Sequence, residues 1–248
     1  MMDHENKYGT LNNQKTLLHM MKDIHQICIT NKIRYSLCGG SLLGAIRENG
    51  FIQWDDDMDI MVPRKVLDLL ITLINKSDKY DVVKELWVNR IRRIEDADNP
   101  KAPTIDIFVI DNVPDNYIVW KIKVLIIKIL QGMLKDKLDN KNFSFFYRIA
   151  LLFTFYLGKL FSRETKLKLY DKVSAIGNKH ISKSVSSYND LYKCLDLKYD
   201  GKLMRQLQLH KFENTSFLIT NKYDNYLKTQ YGDYLTPPDE KDRIPIHL

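Results

Sequence analysis

The run from Tyr35 to Ile60, Tyr-Ser-Leu-Cys-Gly-Gly-Ser-Leu-Leu-Gly-Ala-Ile-Arg-Glu-Asn-Gly-Phe-Ile-Gln-Trp-Asp-Asp-Asp-Met-Asp-Ile, constrains this chain more than any other part of it. Ile33 to Cys38 mixes apolar, aromatic and β-branched residues and ends in Gly39-Gly40-Ser41. That order predicts a strand entering a tight turn, because glycine adopts backbone angles closed to other residues. Ser41 stands where a helix cap is expected, ahead of Leu42, Leu43, Ala45 and Ile46. The N-terminus of such a helix offers backbone N–H groups and a positive dipole end, both suited to phosphate. The pattern is not a P-loop, since no Gly-Lys-Ser/Thr follows at the required spacing. A plain strand-turn-helix connection is the competing reading of the glycines alone.

The carboxylates that follow favour a site. Asp57 to Val62 opens with alternating polar and apolar residues, as a half-buried strand does. Side chains two apart on a strand share a face, which puts Asp55, Asp57 and Asp59 together. Charges so close repel unless neutralised, and a divalent cation is the usual remedy. An EF-hand fails here, because its glycine position holds Ile60 and its terminal glutamate position holds Val66. A third carboxylate, Asp106, stands alone in the β-prone run Thr104-Ile-Asp-Ile-Phe-Val-Ile-Asp111, where an unpaired charge is expensive to bury. Asp106 joins the other carboxylates if its strand neighbours theirs, and otherwise faces water from an edge strand. Asp111, at the end of that run, reads as a turn residue.

With these residues in view, the chain resembles the LicD/fukutin family, which has a nucleotidyltransferase-like fold. The resemblance rests on Gly39-Gly40-Ser41-Leu-Leu-Gly44, Arg47, Gly50-Phe51-Ile52, Trp54 through Asp59, and Ile105-Asp106-Ile-Phe108. A second match lies in Tyr231-Gly-Asp-Tyr234, Pro237-Pro238, Arg243 and His247. It implies transfer of a phosphorylated alcohol, phosphocholine from CDP-choline in the best-known case, to a sugar hydroxyl of a surface glycan or its lipid-linked precursor. Teichoic acid, lipopolysaccharide and capsule are acceptors of that class. It also implies Asp57 and Asp59 as ligands of Mg²⁺ (or Mn²⁺), with Asp106 as third carboxylate. Gly39, Gly40, Ser41, Arg47, Trp54, Tyr231, Tyr234, Arg243 and His247 are then the candidate substrate contacts.

The chain has 248 residues, enough to bury a full core as one elaborated domain. Its three cysteines, Cys28, Cys38 and Cys194, have neither zinc spacing nor the even number of a disulfide framework, and read as reduced, buried thiols. The polar start carries no apolar signal region, so a cytoplasmic location is expected, peripheral to the inner face of the plasma membrane if the chain touches lipid. A formal net charge of +7 draws anions. No basic cluster interleaved with aromatics marks a nucleic-acid face, so anionic lipid, a nucleotide donor or a phosphorylated glycan is expected instead.

The expected architecture is α/β (α+β), a nucleotidyltransferase-like mixed sheet flanked by helices with an inserted helical region. A leading amphipathic helix spans Leu11 to Asn31, where His19 and His25 read as structural. Pro63 opens a helix through Ile74. Strands follow near Val82 to Val88 and Thr104 to Ile110. Tyr117 to Lys137 and Phe145 to Phe161 are apolar helices broken by lysine and arginine, below the ~20 uncharged residues a spanning helix needs. They fit either a buried hairpin or helices lying in a membrane interface. Beyond Ser162 the chain reads as charged and helical. Residues 1–116 are thus expected as catalytic core, 117–205 as the helical region, and 206–248 as a segment completing the site. Tyr223, Tyr226, Tyr231 and Tyr234 close the fold by aromatic packing or, with Trp54, face a quaternary ammonium. Arg243 either grips a phosphate or lies on the surface. Two rival functions remain: a nucleotidyltransferase releasing pyrophosphate, and a non-catalytic glycan or membrane adaptor.

Overall fold

The computed structural model of the chain describes residues 7–138 and 145–245, with the backbone alone at 145–147. Its spine is β5, Ile105–Asn112, whose β-branched run is buried along nearly its whole length. On one edge β5 pairs in parallel with β2, Met58–Pro63, in a register that sets Asp59 directly beside Asp106. Beyond β2 lies the short antiparallel β1, Ser36–Leu37. The other edge of β5 is shared by two antiparallel partners in succession. β4, Val88–Arg93, covers Ile105 to Ile107, and β6, Ser184–Ser187, covers Ile110 to Asn112. β3, Tyr80–Glu85, pairs outside β4, and β7, Tyr199–Asp200, pairs outside β6. The result is a mixed sheet flanked by helices.

The helices follow their apolar spacing. α1, Leu11–Thr30, buries Leu17, Met20, Met21, Ile24 and Cys28 as one stripe. α2, Gly39–Glu48, and α3, Arg64–Asn75, pack into the same core, which also takes Phe212, Phe217 and Ile219 from a separate hairpin. That hairpin is β8, Leu207–Phe212, with β9, Thr215–Thr220. α7, Tyr223–Tyr231, closes the core through Tyr226 and Leu227. Between β5 and β6 the chain inserts α4, Tyr117–Leu134, α5, Phe145–Gly158, and α6, Arg163–Ser174. These build a second core around Trp120, Val124, Ile127, Tyr170 and Tyr188. Among the described residues no helix is long and apolar enough to cross a membrane.

Four local expectations change. The strand expected over Val82 to Val88 is a hairpin, because Leu86 takes a left-handed φ of 49° and turns the chain. Pro63 ends β2 in extended backbone and caps α3 from outside, where its fixed φ suits both elements. Among the described residues beyond Ser162 only α6 and α7 are α-helices, and four strands lie between them. Asp111 is no turn residue. It is buried inside β5 and accepts from Arg64 Nε and Nη2, at 2.5 and 2.6 Å.

Candidate active site

The turn between β1 and α2 and the mouth of β2 form one unit. Gly39 has a left-handed φ of 53°, and a Cβ there would lie 2.2 Å from Asp59 Oδ2. A Cβ on Gly40 would lie 2.4 Å from Asp55 Oδ2. Both glycines are therefore required by two carboxylates seated on the first turn of α2. Ser41 does not cap that helix. Cys38 holds the capping position, and the Ser41 hydroxyl accepts from the Asp59 backbone N–H at 2.8 Å, pinning the start of β2. α1 fixes the approach to Asp55. Gln14 donates its amide to the carbonyls of Ile52 and Asp55, at 3.0 and 2.8 Å, and Thr10 donates to Gln53 O at 2.7 Å.

Asp55, Asp57, Asp59 and Asp106 line one cavity of about 510 Å³ together with Gly39 and Gly40. Burial, then the charge of Asp57, holds the Asp55 carboxyl well above the ordinary carboxylate range. Burial, then Asp57, Asp106 and Asp55, does the same to Asp59. Asp106 is answered by Arg90, directly across on β4, whose Nε donates to it at 2.9 Å. Arg90 also binds Glu85 at the cavity wall. The cation that a buried Asp106 demands is thus supplied in part by the chain itself. Among the described residues no group of three or more His, Cys, Asp or Glu side chains stands ready-made as a metal cage. The donor set fits a different arrangement, since Mg²⁺ usually takes one or two carboxylates and completes its shell with substrate phosphates and water.

The far wall was not legible in the sequence. Asn189 lies where β4 leaves β5 and β6 has not yet begun. Its side chain continues the ladder, accepting from Val109 N at 2.7 Å and donating to Ile107 O at 2.8 Å. That clamp sets Asp190 into the cavity, where burial raises its carboxyl to about 6 while Leu191 N donates to it at 2.6 Å. No motif marks Asn189 or Asp190; the signal is only visible once β6 is paired. The roof is aromatic. Tyr199 and Tyr226 stack at 4.7 Å, the Tyr226 hydroxyl accepts from Gly39 N at 3.2 Å, and Tyr231 and Trp87 line the same space. Burial, and then the charges of Asp59 and Asp55, raise the Tyr231 phenol well above its ordinary value. A second, polar cavity of about 450 Å³ lies under residues 96–104 and shares Asp57, Glu85 and Arg90 with the first.

Four other candidates gather elsewhere. Arg47 and Arg243 both lie against the ring of Trp54, 6.0 and 5.2 Å from its centroid, and Arg47 donates to Tyr234 O at 3.5 Å. The Tyr234 hydroxyl donates to Asp224 at 2.9 Å. None of the four lines the carboxylate cavity. His247 lies outside the described residues.

Residues 32–122 match the family model LicD/FKTN/FKRP, nucleotidyltransferase domain. That span runs from before β1 through β5 into α4 and holds the glycine turn, the carboxylates and Arg90. Along nearly its whole length the chain is similar to lipopolysaccharide cholinephosphotransferase LicD of Haemophilus influenzae, with 26% identity covering 95% of this chain and 94% of that one. Uncharacterized protein RP689 of Rickettsia prowazekii is 37% identical over 71 residues, covering 24% of this chain and 27% of its own. Uncharacterized protein RT0683 of Rickettsia typhi matches equally, over 23% of its length. A Gly-Gly turn that seats carboxylates on a helix N-terminus thus lies within the span, residues 32–122, that is similar to the LicD/FKTN/FKRP nucleotidyltransferase domain.

Proposed function

We propose that the chain is a LicD-type phosphotransferase that moves phosphocholine from a CDP-activated donor to a sugar hydroxyl, the acceptor being a glycan of the lipopolysaccharide class. The observation that carries the reading is the seating of Asp55 and Asp59 on the α2 N-terminus beside Asp57 and Asp106. Carboxylates whose pKa is raised by burial and then by one another gain most from a divalent cation. Asp57 and Asp59 would hold Mg²⁺ or Mn²⁺, with Asp106 beside them. The ion would supply charge neutralisation on the pyrophosphate and in-line placement.

The chain's own residues do the rest. The larger cavity takes the donor, its aromatic roof of Tyr199, Tyr226, Tyr231 and Trp87 suiting a quaternary ammonium. Arg90, reaching both cavities, faces the phosphates while steadying Asp106. The polar second cavity admits the sugar, so that its hydroxyl meets the donor at Asp57. The hydroxyl oxygen attacks the choline-bearing phosphorus, the bond to the bridging oxygen breaks, and CMP leaves. The hydroxyl proton passes to a carboxylate of the cluster. Tyr234, Arg243 and Trp54 act on this reading by shaping the cavity's outer wall rather than by touching donor.

The test is product analysis with a panel of CDP-alcohols, a glycan acceptor and Mg²⁺. CMP release that needs acceptor and metal, and that is lost in Asp57→Asn with the fold intact, is the expected result. Pyrophosphate release from a nucleoside triphosphate would establish the nucleotidyltransferase alternative. Absence of any turnover across the panel would leave the adaptor reading standing.

A further inference from the structure

α4 and α5 carry apolar residues on their outward sides as well as their inward ones, broken only by a few basic and polar residues. A helix of that kind is normally enclosed by protein or placed against lipid. α4 buries Trp120, Val124, Ile127 and Leu130 in the second core, yet Ile118, Ile122 and Leu125 stand exposed at helical spacing on its opposite side. α5 repeats the arrangement with Ile149, Phe153 and Tyr156, and Phe153 is 68% exposed. The two helices touch closely, since a Cβ on Gly132 would lie 2.2 Å from Thr154 Oγ1 and one on Gly158 would lie 2.3 Å from Met133 O. Two uncovered apolar stripes therefore belong to one packed pair.

The charge around them is predominantly basic: Asp196 pairs with both Lys121 and Lys128, while Lys159 and Lys198 add two further cations. Neither α4 nor α5 contains an acidic residue. Lys121 and Lys198 lie over Trp120 at 4.4 and 3.4 Å, and Lys159 lies over Tyr156 at 5.0 Å. Lysines laid along aromatic rings keep their ammonium ends at the boundary between apolar surface and water. The face also continues to the mouth of the carboxylate cavity. Lys128 of α4 lies over Tyr192 at 4.8 Å, and the neighbouring Leu191 and Lys193 line that cavity.

We infer that the α4–α5 face is a membrane-docking surface for anionic lipid headgroups, with the apolar stripes entering the acyl boundary and the lysines reading the phosphates. A second copy of the chain is the weaker occupant. A two-fold dimer through this face would set each lysine rim against an identical one. The docked orientation brings the cavity mouth to the bilayer, where an acceptor built on a lipid is presented. The inference stands on the surface alone and holds whichever alcohol phosphate is transferred.

Co-sedimentation of the full chain with vesicles tests it. Equal parts phosphatidylcholine and phosphatidylglycerol should carry the wild type into the pellet, with much weaker pelleting on phosphatidylcholine alone. High salt should reduce the binding several-fold without abolishing it. Ile122→Glu with Phe153→Glu should lower the partition at least about tenfold with an unchanged melting temperature, as both sites are exposed. A wild type that stays in the supernatant with mixed vesicles overturns the inference, and that result needs no variant. So does undiminished pelleting of the double variant, or a vesicle-free dimer that Phe153→Glu dissolves.

Discussion

A methyl group at residue 40 would occupy the space of an Asp55 oxygen, 2.4 Å away, while one at residue 39 would strike Asp59 and also strain a left-handed backbone. Gly40→Ala should therefore push one carboxylate out of line and lower turnover by about 100-fold, the loss that ~1 Å of misplacement brings. Gly39→Ala should be worse, with left-handed strain of about 1–2 kcal/mol lowering the melting temperature as well. Steady-state kinetics beside thermal melts separate the two, and a Gly40→Ala enzyme of near-normal rate would remove Asp55 from the site. Asp106→Asn has two opposed effects in the absence of metal. It relieves repulsion on Asp59, but it also weakens the Arg90 pair, which stays partly open to water and keeps Glu85. The expected net change in chelator is within about 1 kcal/mol, with stabilisation by added Mg²⁺ much reduced. At this scale the aspartates were legible because carboxylates two apart on a β-prone run must share a face, and a shared face needs a common counter-charge. Arg90 was not, since an arginine in a charged strand looks the same whether it faces water or Asp106.

Between elements, the adjacency of β2 and β5 was foreseeable as a condition on Asp106, and the register of Asp59 against Asp106 meets it; that the pairing is parallel was not. β6 and β7 escaped notice because β6 is short and rich in serine and β7 is only two residues, Tyr199–Asp200, so neither has enough apolar alternation to signal a strand. Their place is set from a distance by Asn189. Asn189→Ala should leave the Val109 N–H and Ile107 carbonyl without partners, costing about 1–3 kcal/mol, and should release Asp190 from the cavity wall. Calorimetry and kinetics should then move together. Asp111→Asn provides the contrast. It breaks a pair that joins α3 to β5 and also receives Asn178 Nδ2 at 2.5 Å. A cost near ~3 kcal/mol is expected, at the lower end for buried pairs because Arg64 stays 24% exposed. Turnover below the melting transition should be nearly unchanged, since Asp111 does not line the cavity. A large rate loss at full folding would show that the sheet transmits this pair to the site.

Stability of the whole molecule against pH should have two arms, one from each core. In the sheet core, the Asp190 carboxyl rises from 3.8 to about 6, and Asp55 and Asp59 shift the same way. A carboxyl whose pKa is higher in the folded chain binds its proton more tightly there. That favours folding below the raised value, and the advantage is lost as pH climbs from about 4 through about 6. In the helical core, Lys123 of α4 lies over the Tyr188 ring at 3.6 Å and donates to Ile176 O at 2.8 Å, and burial lowers its ammonium from 10.5 to about 7. The unfolded chain then holds the extra proton, so folding gains stability as pH rises from about 7 towards 10. Metal-free melting temperatures should accordingly fall between about pH 4 and 6 and recover above about 7. Mg²⁺ should raise the melting temperature, because a divalent cation favours the ionised form of carboxyls whose pKa burial and mutual repulsion have raised. Lys123→Met replaces the buried cation with an apolar chain of similar reach, so it should stabilise the protein at about pH 6 and flatten the alkaline arm alone. Asp190→Asn should flatten part of the acidic arm and leave the alkaline one. If Lys123→Met erased both arms, the two cores would be titrating as one unit through Asp111 and Arg64, the charges that face Lys123 from β5 and α3.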